Sequence, residues 1–445
     1  MIDNTEGGRF TSSKRFYAAF ARGPSPERQV AMMPTTARRF RSSALALTGA
    51  AVLLAAAACG SSSSGAASGP LTLTELDYYT SQPAHGAVGE MLQSCAQSVG
   101  VKITQDSVAN PQLMPKVLQE LSSHTLPDLL MLDNPSLQQI AQTGALTPLS
   151  TAGMDLNGYY PSILSAGSYQ GKVYGIAPGV NSIALFYNKD MLTAAHLTPP
   201  TTWAQLTADA KTLTTSAHEG FALSADNDGE GSWQFLPFFW SNGANLENLS
   251  SPAAVASLQL LDGMIQNGSM SKSVVTWAQS DVNDQFIAGK VAMMVNGPWQ
   301  FPTLNAATSL HYGVVPIPVP ATGDQVKVPL GGEVFTVPAT GTATEQAAAK
   351  VLACMNSSAD QLAYAKQVGY VPSLESAAAQ LAASDPAMAP FVSEVATAES
   401  RTAEVGTRYP TIATAIETAE QQALTGSAGP AQALAAAQSS AAKGS

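Results

Sequence analysis

The sequence predicts an α/β fold built in two parts. From Leu71 onward, short apolar runs alternate with amphipathic stretches at helical spacing, the pattern of helices layered on a mostly parallel sheet. No internal repeat interrupts that alternation. The chain that follows Ala58 is about 387 residues long, more than one hydrophobic core usually holds, so two domains are expected.

The elements follow in order. Leu71 to Asp77 reads as a strand, Gly86 to Val99 as a helix, Lys102 to Gln105 as a strand and Pro111 to Ser122 as a helix. Asp128 to Leu132 is an apolar strand bounded by Pro127 and Asp133, with a helix after Pro135 reaching Gln142. Ala145 to Leu149 then leads into a loop rich in Gly and Tyr. Further helices are expected at Trp203 to Ser216, Pro252 to Asn267, Val282 to Ala288, Glu345 to Asn356, Ala359 to Val368 and Ile412 to Leu424. The Ala-rich tail from Ala428 predicts a helix that frays at its end.

The N-terminus reads as an export signal. Arg38, Arg39 and Arg41 precede an apolar run from Ala44 to Ala58, about fifteen residues where a spanning helix needs about twenty. Cys59 follows Ala57 and Ala58 and precedes Gly60 and four serines, which looks like a lipoprotein processing site with a flexible tether over 59–69. Ala56 stands where such sites usually have Leu, and Arg38-Arg39-Phe40 also resembles a twin-arginine signal. The expectation is an extracytoplasmic chain held on the outer face of the cell membrane by lipidated Cys59.

Composition narrows the function. Residues 1–58 hold eight of the 21 Lys and Arg and three of the 32 Asp and Glu, so the remainder carries 13 against 29, a formal charge of −16. Such a chain is repelled by phosphate backbones, which argues against nucleic acid as a partner. Arg401 and Arg408 are the only arginines after residue 58, too few to clamp a multiply charged anion, and a neutral ligand is expected. Cys95 and Cys354 both lie in helical patterns; in an oxidising compartment they either bridge or stay as two buried thiols.

Catalytic patterns are missing. There is no Gly-x-Ser-x-Gly elbow, no phosphate-binding Gly-rich loop ending in Lys and Ser or Thr, and no His-Glu-x-x-His pair. The five histidines are scattered singly, and the knot from Asp226 to Glu230 lacks the spacing of a twelve-residue calcium loop, so it reads as a solvated or ligand-facing loop. Neither an enzyme nor a metal or cofactor is expected.

Several blocks carry a resemblance to a known family. They are Gly171-Lys-Val-Tyr-Gly-Ile-Ala-Pro178, Ala184-Leu-Phe-Tyr-Asn-Lys-Asp190 and Pro199-Pro-Thr-Thr-Trp203, then Phe286 to Trp299, then Gly331-Gly332-Glu333, and finally Gly369-Tyr-Val-Pro372. In this order over 71–428, the chain resembles the maltose-binding-like solute-binding proteins of ATP-binding-cassette sugar importers. The resemblance implies a two-lobed, type II periplasmic-binding-protein-like fold, its lobes joined by crossing segments near 176–180 and 330–333. Lobe one would comprise 70–177 and 332–390, and lobe two 178–331 and 391–445. It also implies a monomer that captures a monosaccharide, small disaccharide or similar polyol and meets the importer's permease subunits. A sensor presenting its bound form to a signalling receptor is the second reading. A secreted hydrolase acting through Asp133 and Glu333 is a weaker third.

Candidate contacts follow from both lines. Asp133 sits just past a strand, at the end where open α/β sheets bind ligands, and also matches a sugar-contacting position of the family; capping the following helix is its other role. Tyr78, Tyr79 and Thr80 follow the first strand at the equivalent end, and one of them is expected to line the cleft. Gly297-Pro298 sets Trp299 on a turn where its indole can face a pyranose ring. Gly331 and Gly332 would let bare N–H groups approach the ligand, with Glu333 after them where many disaccharide binders carry an aromatic. Asn181 lies beside the first crossing, Trp233 and Gln234 fall in a segment resembling another cleft-lining stretch, and Arg401 resembles an arginine sent into the cleft from the C-terminal segment.

Overall fold

The computed structural model describes residues 70–443. The export signal, Cys59 and the tether lie outside the described residues.

Two hydrophobic cores organise the chain. The smaller gathers Leu73, Leu76, Leu92, Leu130, Leu132 and Phe335 beneath a five-stranded sheet. Its strands run in the order Lys102–Ser107, Thr72–Asp77, Leu129–Asp133, Glu333–Thr336 and Gly175–Ile176. The first three are parallel, and Glu333–Thr336 lies antiparallel to both its neighbours. Leu129 to Leu132 are buried without alternation, as a central strand covered on both faces requires.

The larger core collects Phe186, Phe221, Phe235, Phe238, Phe239 and Phe286 with the aliphatic faces of the surrounding helices. Its sheet, Tyr312–Val315, Ala184–Asn188 and Met293–Asn296, is antiparallel throughout, unlike the mostly parallel arrangement the alternation suggested. Helices Glu375–Ser384 and Ala389–Thr397 bury Ala378, Leu381 and Phe391 in this larger core. The segment 375–390, expected with the first lobe, thus packs with the second.

The chain crosses between the cores three times, the third near Val371–Pro372, which pairs with Gly179–Val180 beside the first crossing. Gly175–Ile176 belongs to the first sheet and Ala184–Asn188 to the second, and between them Asn181 pairs with Gly331 of the returning segment. Pro329 also pairs with Glu399, so the C-terminal segment runs beside the second crossing. Asn134 secures this region, its buried side-chain amide donating to the carbonyls of Leu330 at 3.1 Å and Gly332 at 3.0 Å.

Helix boundaries follow local chemistry. Thr202 caps Trp203–Leu213 through a capping box with Gln205. The helix stops before Ser216 because Thr214 turns extended. Glu230–Ser241 forms despite Pro237, since ten of its twelve residues, Gly231 to Trp240, are buried and tertiary packing outweighs the lost backbone bond. Cys95, on helix Ala84–Val99, is joined by a disulfide to Cys354 on helix Thr342–Met355, their Cα atoms 5.6 Å apart.

Candidate ligand cleft

Between the two cores lies a cleft of about 840 Å³, within the usual size range of small-molecule sites. Its first wall is made where two parallel strands end. Glu333 and Asp133 face each other across the antiparallel register of their strands. Glu333 is buried, with the Tyr78 hydroxyl donating to one carboxylate oxygen and the Tyr79 hydroxyl to the other at 2.5 Å. Burial raises the proton affinity of Glu333, while those two hydroxyls lower it. Tyr364 donates in turn to the Tyr79 hydroxyl at 3.4 Å and meets Tyr370 edge to face, so the carboxylate sits among four phenol rings.

Asp133 does not cap the helix that follows it. It receives the fork of Arg401, with Nη1 donating at 3.1 Å and Nη2 at 2.5 Å. The Arg401 guanidinium lies 4.7 Å from the Trp233 ring centre and 5.8 Å from that of Tyr409. Arg401 is therefore buried in the cleft floor, sandwiched by aromatic faces and neutralised by one carboxylate. Trp233 both lines the cleft and belongs to the larger core.

The turn at Gly297 is set by Trp299. A Cβ on Gly297 would lie 1.8 Å from the indole, so the ring folds back over the glycine. Trp299 remains half-buried, lines the cleft and packs against both cores. Asn296 holds the turn from beneath, accepting from Gly297 N at 3.0 Å and donating to the Gln279 carbonyl at 2.9 Å.

Two expectations need correction. Gln234 does not reach the cleft: successive helical residues point about 100° apart, and while Trp233 faces the cleft, Gln234 is fully buried and accepts from Ser224 N at 2.8 Å. Gly331 offers no bare N–H, because that group donates to the Asn181 carbonyl at 2.9 Å. Glycine is required there by its neighbours: a Cβ would meet the Asn181 side chain at 2.0 Å and the Trp233 ring at 2.4 Å. Gly332 has φ +106°, a conformation that favours glycine. Thr80, Asn181, Gly331, Gly332 and Glu333 all line the cleft, together with Tyr78 and Tyr79.

The second wall was not anticipated from sequence beyond its loop. Asp228 reaches the cleft from the turn before helix Glu230–Ser241, Glu230 from the first position of that helix, and Glu417 from helix Tyr409–Thr425. Glu230 accepts from Gln279 N at 2.6 Å, and Glu417 from the Ser232 hydroxyl at 2.7 Å. Burial, reinforced by the neighbouring acids, pushes Asp226 up to about 8 and Glu230 up to about 7. Asp226, Asp228 and Glu230 bring one carboxylate oxygen each within 4.8 Å of one another, the donor set a divalent cation would use. The other close group, Cys95, Cys354 and Asp360, is the disulfide with a nearby carboxylate and offers no thiolate.

Residues 90–390 match the bacterial extracellular solute-binding protein family, and the chain belongs to it. It is 30% identical over 240 residues to a Brucella abortus (strain 2308) protein named as a binding protein, covering 51% of this chain and 58% of that one. It is 23% identical over 289 residues to the maltooligosaccharide ABC transporter solute-binding lipoprotein of Streptococcus pneumoniae (strain ATCC BAA-255 / R6), covering 61% of this chain and 66% of that one. The chain thus spans less than two thirds of the length of these relatives. Among solved structures, the fold is shared with a Thermotoga lettingae ABC transporter solute-binding protein bound with α-D-tagatose (TM-score 0.75, 21% identity, 84% of this chain and 99% of that one). It is also shared with the cyclic α-maltosyl-1,6-maltose binding protein of Arthrobacter globiformis (TM-score 0.70, 24% identity, 84% and 98%). These likenesses establish a two-lobed α/β solute-binding fold.

Proposed function

We propose that the chain captures a small polar solute of the sugar class outside the cytoplasm and delivers it to an ABC importer without chemical change. The observation that carries this reading is the cleft between the two cores, where carboxylates, an amide and the half-buried Trp299 face one space. Carboxylates and amides take paired hydroxyls, and an indole covers the apolar face of a sugar ring. Two separate cores joined by short crossings suit a hinge that closes on the solute. Lobe one would hold the first sheet, lobe two the second sheet and the C-terminal helices, with 375–390 on the lobe-two side. Attachment to the outer face of the membrane would come from a lipid on Cys59. The protein would act as a monomer that docks on the permease subunits.

The test is a thermal-shift screen over mono- and disaccharides followed by calorimetric titration. A solute at 100 times its dissociation constant should stabilise the protein by about 2.7 kcal/mol. Loss of the solute with appearance of products on prolonged incubation would turn the reading toward an enzyme. Membrane retention of a Cys59→Ser variant after salt washing would remove the lipid anchor.

A further inference from the structure

The cleft is short of positive charge. Among its described lining residues Asp133, Asp228, Glu230, Glu333 and Glu417 are acids, and Arg401 is the only Lys or Arg. Arg401 is already engaged by Asp133. Glu333 is satisfied by tyrosine hydroxyls. The lobe-two acids accept neutral donors, Gln279 N on Glu230 and the Ser232 hydroxyl on Glu417, but no cation: among the described residues no Lys or Arg forms an ion pair with Asp226, Asp228, Glu230 or Glu417.

A second observation lies behind this wall. Glu420, one helical turn beyond Glu417, is fully buried, and neither of its carboxylate oxygens has a hydrogen-bond partner. The charges acting on it are those of Glu417 and Asp226, so it backs the same cluster. Like charges gathered in a partly desolvated place oppose one another's ionisation until a cation joins them. Asp228, Glu230 and Glu417 open into the solute cleft, so a cation seated there would be in reach of whatever the cleft holds. Aromatic groups in the same cleft, Trp299 and Tyr370 among them, favour a positive neighbour over a negative one.

We propose that the solute is positively charged: a hydroxylated amine such as an amino sugar, its ammonium on the Asp228, Glu230 and Glu417 wall and its ring toward Trp299. The proposal rests on the binding-protein reading and narrows its ligand class, replacing the neutral solute that composition suggested.

The experiment uses the full chain and a matched panel. Glucosamine, galactosamine and mannosamine are each compared with their hydroxyl and N-acetyl counterparts, and calcium chloride is tested alone, by thermal shift and calorimetric titration. At least one amine should bind about tenfold or more tighter than its two neutral counterparts, the size expected of a charge-assisted hydrogen bond. Asp228→Asn, in an exposed loop, should remove about that factor and with it the preference, and Glu417→Gln should do the same. Circular-dichroism melting of both unliganded variants shows whether each folds, and Asp228→Asn alone is sufficient to decide. Neutral sugars binding as well as the amines, or a preference unchanged in Asp228→Asn, would overturn the charge assignment and leave the binding-protein reading standing. Calcium binding that depends on Asp228 while no amine binds would overturn it in favour of a metal. A panel with no ligand at all would count against both readings.

Discussion

The two walls of the cleft carry the same chemical group and treat it in opposite ways. On the first, buried Glu333 is met by Tyr78 and Tyr79, and Asp133 by the fork of Arg401. On the second, Asp226, Asp228 and Glu230 crowd one another, and Glu420 behind them is unpartnered. A carboxylate answered within the fold sets the shape of a site before any ligand arrives. One left unanswered costs stability, and that cost is recovered only on binding. The scaffolds differ as well, since the first lobe is stapled by Cys95–Cys354, and among the described residues the second has no disulfide.

The largest expected effect removes that staple. Cys95 and Cys354 are 259 residues apart, and a closed loop of that length corresponds to about 5 kcal/mol in the chain-entropy account. Cys354→Ser should therefore lower the denaturation midpoint strongly, beginning in the first lobe. All five tryptophans, Trp203, Trp233, Trp240, Trp277 and Trp299, lie between the first two crossings and all but Trp299 pack with the larger core alone, so indole fluorescence reports mainly the second lobe. In the variant, far-ultraviolet circular dichroism should move to lower urea ahead of fluorescence. Coincident, unshifted transitions would show that the staple adds nothing.

The next effect is a pH dependence. Glu394, in the larger core, is pushed up to about 7 by burial, with the Ser182 hydroxyl pulling it back at 2.6 Å. Its folded proton affinity exceeds its unfolded one, so the folded state holds the extra proton between about pH 4.5 and 7. Stability from this group is fully present below that window and is lost as pH rises through it. Asp226, Glu230 and Glu420 are shifted the same way. The unliganded protein should be more stable at pH 5 than at pH 8, with Glu394→Gln removing about 3 kcal/mol of the difference. A melting temperature rising from pH 5 to pH 8 would contradict the assignment.

Trp299→Ala tests where the walls meet. Truncating an aromatic anchor costs about 2 kcal/mol of affinity, roughly thirtyfold in dissociation constant. Because the ring packs on both cores, a stability loss of about 2 kcal/mol should accompany it. Lost stability with unaltered affinity, measured by denaturation and titration on one variant, would make Trp299 packing alone.

How much of this was legible in the sequence depends on distance along the chain. Asp133 and Trp299 could be placed because strand ends and Gly-Pro turns are local signals. Arg401 could be singled out by rarity, yet its partner, 268 residues away, could not. The acidic wall was read only as a loop because its other half arrives from elsewhere: Ser232 and Glu417, which join the two, are 185 residues apart. Gln234 was misplaced because adjacency in sequence does not give direction on a helix, and the helix itself was hidden by Pro237. The pairing of Cys95 with Cys354 stayed open for the same reason, since periodicity places each on a helix but not the helices beside each other.

The smallest effect returns to the first wall and asks whether its carboxylate is indeed satisfied. Tyr79→Phe keeps the ring and deletes the hydroxyl that donates to Glu333 at 2.5 Å, leaving one buried oxygen without that donor. The cost is about 1 to 3 kcal/mol when Glu333 is ionised. The hydroxyl is also one of the groups that lower the proton affinity of Glu333, so its loss raises that affinity further. A protonated Glu333 needs fewer donors, so the variant should lose less toward low pH, the direction in which its raised proton affinity favours that form. As pH rises the folded state must either hold the proton against its release to solvent or bury a less satisfied charge, so the loss should be larger at pH 8 than at pH 5. Tyr78→Phe should behave alike in stability and also weaken binding, because Tyr78 is the less buried of the two rings in the cleft. Urea denaturation of both variants at the two pH values decides the matter, and a penalty equal at both would mean that the phenols pack around Glu333 without tuning it.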